Sequence, residues 1–384
     1  MRAIIAGVGQ LADRLTAERI PWSVVPALAP EPQAGGNRAL RAVGDVWKTL
    51  AAAIRLALVI RRLRPDVVHT HAFRAILLGR LGGWLARAPN RFSMVPGPFH
   101  LAAPVQRRLD RLTFRLDTRV IASCEYTKRL YRELGVPSAR LGCIYYGPDH
   151  TRFDPHAANG ARVRDELALA DAPLVGLVAY FYAPDDGPLI PRELRGVPLK
   201  GHEYFVEAAG LVLREEPRAT FLLVGGGYGE HGEEYRRRFQ ERCRSLAHAD
   251  SLVFTGPRTD IPDVLAALDV SVQCSLNENL GGTIESLLME APTVATRVGG
   301  MPEAVRHEET GLLVPPADAP ALAAAILRML REPDVARAWA KAGRQLMLGR
   351  FTLARTVADI DMLYGELAPP DPRAAFVGAV DAPR

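Results

Sequence analysis

The stretch Val270-Ser271-Val272-Gln273-Cys274-Ser275-Leu276-Asn277-Glu278-Asn279-Leu280-Gly281-Gly282-Thr283-Ile284-Glu285-Ser286-Leu287-Leu288-Met289 decides how the rest of the chain is read. Its first five residues are an apolar run that predicts a buried strand, and its last six predict a helix. A glycine-bearing loop joins the strand end to the helix start. Free backbone N–H groups at such a start attract phosphate and other anions. Glu278 on the loop and Glu285 in the first helical turn flank that position, and carboxylates are good acceptors for sugar hydroxyls. Phosphate and polyol recognition side by side points to a nucleotide-sugar. On these residues alone a plainer reading stays open: a solvated helix start, with Glu285 favoured there by the helix dipole.

Neighbouring segments narrow the choice. Pro292-Thr293-Val294-Ala295-Thr296-Arg297-Val298-Gly299-Gly300-Met301-Pro302-Glu303 follows the central stretch, and then Thr310-Gly311-Leu312-Leu313-Val314-Pro315-Pro316. Upstream lie Thr255-Gly256-Pro257-Arg258-Thr259-Asp260 and Lys200-Gly201. This ordered set, with Glu278 and Glu285 matched to the paired glutamates of an E-x7-E signature, resembles the retaining glycosyltransferases of family 4 from about residue 67 to residue 330.

The resemblance implies an α/β fold of the GT-B type: two facing doubly wound, Rossmann-like domains with a C-terminal helix crossing back to the first. Residues 1–155 are expected to be the acceptor-side domain, with its first strand–helix unit missing or diverged. Residues 156–350 are expected to bind the nucleotide-sugar, 351–368 to be the crossing helix, and the Pro- and Ala-rich 369–384 to be disordered. By the same resemblance Glu278 would hold hydroxyls of the donor sugar and Glu285 the ribose. Lys200 and Arg195 would clamp the diphosphate, helped by the backbone of Asn279, Leu280, Gly281, Gly282 and Thr283. His71 would face the cleft on the acceptor side. Many relatives carry a histidine where this chain has Pro96, and its role near the donor sugar passes to His100. The expected catalytic set is therefore Glu278, Lys200 and His100.

Other glycines and basic residues invite readings of their own. Phe221 to Gly227 reads as a strand running into a glycine turn, where Gly226 would let the backbone approach the ligand. Arg258, on the exit loop of the strand 252–256, is positioned to meet the nucleotide. Gly7-Val8-Gly9-Gln10-Leu11-Ala12 fits a dinucleotide fingerprint, but the second apolar run, Ser23 to Leu28, ends without the acidic residue that the pattern needs. A nicotinamide cofactor is not expected. Asp359-Ile360-Asp361 places its carboxylates two apart, which a helix does not bring to one face, so no metal is expected either.

Composition sets outer bounds. The 384 residues suffice for two domains, and 48% hydrophobic with 24% charged residues is ordinary for a globular protein. A net charge of +5 is too small to argue for nucleic acid. The four cysteines form no C-x-x-C pair and predict reduced thiols, hence the cytoplasm. Leu101, Val105, Leu109, Leu112 and Leu116 recur at helical spacing, with Arg107, Arg108, Arg111 and Arg115 on the remaining surface. That basic face is either solvated or a contact with an anionic membrane at its inner face.

The expected partners are thus a nucleotide-sugar donor and a sugar, lipid-linked or small-molecule acceptor. Two alternatives stay open: a non-catalytic sugar-nucleotide-binding partner subunit, and another GT-B enzyme such as an epimerase or a phosphorylase.

Overall fold

The computed structural model describes residues 3–5, 10–24, 38–169, 171–187 and 190–367; the side chains of residues 3–12, 24 and 38–46 are not described. Gly7 to Gly9 and the segment 369–384 lie outside the described residues.

Among the described residues twelve strands fall into three parallel sheets. β1 (Ala3–Ile5) and β2 (Trp22–Val24) pair with each other. β3 (Val67–His71), β4 (Asn90–Val95), β5 (Arg119–Ala122) and β6 (Leu141–Cys143) form a sheet in sequence order. The third sheet contains β7 (Leu174–Val178), β8 (Thr220–Val224), β9 (Leu252–Gly256), β10 (Val270–Gln273), β11 (Thr293–Thr296) and β12 (Leu312–Val314), in the order β12-β11-β10-β7-β8-β9. Counted from β7 this is the 3-2-1-4-5-6 order of a Rossmann sheet, whose strand order reverses between β7 and β10.

The third sheet forms because its strands are apolar on both faces, as parallel strands covered by helices must be. Val175, Leu177, Phe221, Leu223, Val270 and Val272 enter one core, with Phe205 and Ile326 from covering helices. Leu174, Leu222, Val224, Ala295 and Leu313 point the other way, to a second core with Ile284, Leu287 and Met347. The helix Leu353–Gly365 returns to the first domain. Ile360, Leu363 and Tyr364 pack there on Phe92, Met94 and Ile121 of β4 and β5. Asp359 pairs with Arg355 on the same helix at 3.0 Å.

One expectation changes at the level of local structure. The spacing of Leu101 to Leu116 suggested an apolar inner face with arginines outside. The helix Pro104–Thr113 instead buries Asp110 and turns Val105, Leu109 and Leu112 outward, the last 62% exposed. The inner face is polar because Asp110 is held by Arg80 beneath it. The turn before β11 places Glu290 at φ 53. Such a left-handed conformation costs a non-glycine residue about 1–2 kcal/mol.

Candidate functional site

β7 and β10 lie side by side at the reversal of strand order, and open α/β sheets bind ligands outside the strand ends at that point. The segment after β7 ends at Lys200-Gly201, and the segment after β10 is the Glu278 loop. Their backbones are seated on each other. Leu276 N–H donates to the Leu199 carbonyl at 2.8 Å, and the Cys274 thiol lies 3.2 Å from the Gly201 carbonyl. Gly201 adopts φ 74, and any Cβ there would stand 2.1 Å from the Cys274 carbonyl oxygen. Only glycine fits, which is the physical content of the Lys-Gly pair.

This seating brings Lys200 to Glu278: the Lys200 ammonium donates a hydrogen bond to Glu278 Oε2. Glu278 Oε1 accepts from Asn279 N–H at 3.0 Å. The Lys200 Nζ also stands 5.8 Å from the Tyr182 ring centre. Glu285 follows in the short helix Thr283–Leu288. Its Oε2 is buried with no hydrogen-bond partner, as is Asn279 Oδ1. Burial, and after it the charge of Glu278, pushes the Glu285 carboxyl above its usual range. Unpartnered buried polar atoms are rare in folded proteins and mark places where a ligand or water completes the bonding.

The glycines do different jobs. Gly281 adopts φ 53 and carries the loop past the Glu278 side chain. The Leu280 side chain is buried in the second core and anchors the loop there. The Thr283 hydroxyl turns back to the Leu280 carbonyl and closes the turn. Six residues separate Glu278 from Glu285, one fewer than E-x7-E requires, so the match to that signature is shortened by one position.

Several expected residues are not brought to the pair. His100 is buried in the first domain, where its Nε2 lies 3.1 Å from the Tyr131 hydroxyl and 3.3 Å from Asp110 Oδ2. Its ring stacks on Phe73. These contacts hold the imidazole within the first domain. Arg258 is consumed by carboxylates: two nitrogens meet Glu166 at 2.8 Å each, and it also reaches Asp260 at 2.7 and 2.9 Å. A guanidinium so engaged has little left for a nucleotide, and the loop it fixes is what it serves. Arg195 is exposed on the long loop after β7 and donates to the Ile190 carbonyl at 3.3 Å. Gly226 has room for a side chain, with Pro257 at ordinary contact distance. Its neighbours carry the constraint, because a Cβ on Gly225 or Gly227 would stand 2.0 or 1.9 Å from backbone.

His71 sits at the end of β3, exposed, with Nδ1 3.0 Å from the Tyr146 hydroxyl. It stacks on His69, whose Nδ1 lies 2.7 Å from the Tyr364 hydroxyl of the returning helix. Burial, then the neighbouring His71, lowers His69 to about 4, and burial lowers His71. Both imidazoles are therefore neutral near pH 7.

The first domain closes over the site. Gly97, in the exit loop of β4 beside Pro96, lies 3.4 Å (measured from an ideal Cβ) from Asn279 Cβ. The motif residue Glu303 reaches across to the first domain, a contact that the sequence disclosed only as part of a signature. Among the described residues no cluster of three His, Cys, Asp or Glu could hold a metal ion, and no helix is long and apolar enough to cross a membrane.

The family model for a glycosyl transferase 4-like domain matches residues 3–147, and that for glycosyl transferases group 1 matches residues 193–332. The chain is 28% identical over 343 residues to the GDP-mannose-dependent alpha-(1-6)-phosphatidylinositol monomannoside mannosyltransferase of Mycolicibacterium smegmatis, covering 84% of this chain and 78% of that protein. It is 30% identical to the 2-deoxystreptamine N-acetyl-D-glucosaminyltransferase of Streptomyces fradiae, covering 80% of this chain and 73% of that one. Among solved structures, Anabaena HepE in complex with UDP superposes with a TM-score of 0.76 at 19% identity, covering 95% and 92% of the two chains. At that identity the likeness speaks for the fold alone. With both halves matched in order, the chain belongs to the group 1 glycosyltransferases and has their GT-B architecture.

Proposed function

We propose that this glycosyltransferase moves a sugar from a nucleoside-diphosphate donor, bound mainly by the second domain, to an acceptor hydroxyl presented by the first, with retention at the anomeric carbon. The observation that carries the reading is the Lys200–Glu278 pair beside the unpartnered Glu285 Oε2, at the switch point of the second sheet. As the glycosidic bond breaks, negative charge grows on the diphosphate. Lys200 meets that charge, and a cation placed in advance lowers the barrier without reorganisation. Once the diphosphate has drawn Lys200 to itself, Glu278 is free to accept sugar hydroxyls. Glu285 accepts a hydroxyl of the ribose through its open oxygen. The acceptor oxygen attacks on the face that the leaving group vacates and gives up its proton to the departing diphosphate, so no carboxylate becomes a covalent nucleophile.

Relatives support this chemistry, since one is a GDP-mannose-dependent mannosyltransferase and another an N-acetylglucosaminyltransferase. The test is to incubate the protein with UDP- and GDP-sugars and an acceptor panel and to determine the product anomer. An α-linked product from an α-linked donor is expected. A β-linked product would overturn the retaining mechanism.

We further propose that the helix Pro104–Thr113 rests on an anionic membrane. Val105, Leu109 and Leu112 lie exposed on one stripe, with Arg107, Arg108 and Arg111 around them, and such a surface suits the boundary between head groups and acyl chains. Flotation with vesicles containing phosphatidylglycerol should retain the protein, and Leu112→Glu should release it. Equal retention of the two would remove the contact.

A further inference from the structure

Glu303 links the domains. It belongs to the second, in the short helix Met301–Ala304 that follows β11, yet its carboxylate is bonded to the first. Oε2 accepts from Glu125 N–H at 2.9 Å, and Oε1 accepts from Tyr126 N–H at 2.8 Å. These are the first two amides of the ten-residue helix Glu125–Leu134, whose N-terminal N–H groups have no partner within the helix. A carboxylate there also meets the positive end of the helix dipole. A third bond comes from the Tyr145 hydroxyl, 2.8 Å from Oε2, on the segment that leads from β6 into the second domain. The Arg350 guanidinium stands 5.2 Å from the Tyr145 ring centre and donates to its hydroxyl at 3.3 Å.

The same turn supports the loop that carries Glu278. Gly299 adopts φ 53, and a Cβ there would stand 1.7 Å from the Glu278 carbonyl oxygen. At Gly300 a Cβ would stand 2.8 Å from the Asn279 carbonyl oxygen and 2.9 Å from Cys124 Sγ, the cap residue of the first-domain helix. The turn 299–303 is thus wedged between the backbone of Glu278–Asn279 and the start of the helix 125–134. Three residues lie between Gly299, against the site, and Glu303, bonded to the other domain.

We propose that Glu303 is a positioning residue: it latches the two domains in one relative orientation and through the Gly299-Gly300 turn fixes where Glu278 stands. The bonds of its carboxylate go to protein groups of the first domain and the segment after β6. The link to Glu278 rests on the proposed function; the latch between domains does not.

The test compares the wild type with Glu303→Ala, Glu303→Gln and Tyr145→Phe in three measurements. Small-angle scattering should show a larger radius of gyration for Glu303→Ala than for the wild type, with Tyr145→Phe between them. The affinity for UDP and GDP, measured by calorimetry, should stay within about twofold, because the second domain holds the nucleotide. With whichever nucleotide-sugar the wild type turns over, kcat should fall by about 10²-fold in Glu303→Ala, the loss that a displacement of roughly 1 Å can cause. Glu303→Gln keeps the size of the side chain and one acceptor oxygen, and should recover part of that loss. A scattering curve for Glu303→Ala that superposes on the wild type would overturn the latch, whatever the enzyme transfers. A normal radius shift with unchanged kcat would overturn the coupling to Glu278 while leaving the latch. If Glu303→Ala does not fold, the milder pair decides: Tyr145→Phe and Glu303→Gln with wild-type scattering and wild-type kcat would contradict both parts.

Discussion

Each domain buries a set of charged and polar groups, and the two sets are built in opposite ways. In the first domain Arg80 lies fully buried between Asp110 and Asp117, with its Nε 2.7 Å from Asp117 Oδ2 and its Nη1 3.1 Å from the Thr113 hydroxyl. Ser93, Tyr131 and His100 complete the bonding of the two aspartates. Burial alone would lower the Arg80 guanidinium, but the charges of Asp117 and Asp110 outweigh it and hold its pKa up. Nη2 is the one Arg80 nitrogen left without a partner. In the second domain the loop around Glu278 keeps buried oxygens of Glu285 and Asn279 unbonded beside a single ion pair. A network that answers its own charges fixes a structure, and one that leaves acceptors open at a strand-end crevice is prepared for a ligand. Buried charge alone therefore does not locate a site. His100 shows this, because it lies in the network that is nearly closed.

That contrast can be broken by substitution. The largest effect is expected in the first domain. Arg80→Met leaves two buried aspartates without their cation, and breaking a buried pair on one side costs about 3–5 kcal/mol. Chemical denaturation should show a loss of that size. A loss below about 1 kcal/mol would mean that the network is far more hydrated than its burial implies. In the second domain the expected loss is in turnover. Glu278→Gln should lower kcat/KM by about 10²–10³-fold, the range for removing one electrostatic contact to a transition state. Its melting temperature should stay near that of the wild type; a near-normal turnover would refute the assignment.

A smaller effect depends on pH. His202 is fully buried, stacked on Phe181 with ring centres 3.8 Å apart, and burial, then the charge of Lys200, pushes it down to about 3. Its unfolded pKa is near 6.5, so the unfolded chain takes up the proton first. The stability linked to His202 is present above pH 6.5 and is lost as pH falls toward 3, at no more than about 1.4 kcal/mol per pH unit. His202→Phe should flatten the stability curve over that window, and an unchanged slope would contradict the assignment. The smallest effect is expected at Glu290. Glu290→Gly relieves its left-handed backbone and should gain about 1 kcal/mol in thermal unfolding, unless the loss of its 3.8 Å contact with Arg344 offsets the gain.

How much of this was legible in the sequence follows the same contrast. The second domain is read well because its constraints are local: Lys200-Gly201, the Glu278 loop and Gly299-Gly300 are each demanded by a turn or a close backbone approach. Local geometry leaves a pattern in a short stretch of residues. The partners of Arg258 and His100 were not legible, because they lie far along the chain, Glu166 for one and Tyr131 for the other. The helix 104–113 was misread because a buried aspartate reverses the face that hydrophobic spacing would choose. Glu303 was quoted within a motif, but its purpose lies in two amides of the other domain, which no local pattern announces.

The central claim is that Lys200 and the Glu278 loop form the donor site. It is tested most directly by thermal stability against UDP-, GDP-, ADP- and TDP-sugars, in the wild type and in Lys200→Ala. A donor at about 100 times its dissociation constant should add roughly 2.7 kcal/mol to the folded wild type. Losing the charged bond to the diphosphate should remove about 1.5–3 kcal/mol of affinity in Lys200→Ala, and with it most of the shift. Equal shifts in the two proteins would contradict the account, as would no shift of the wild type with any donor.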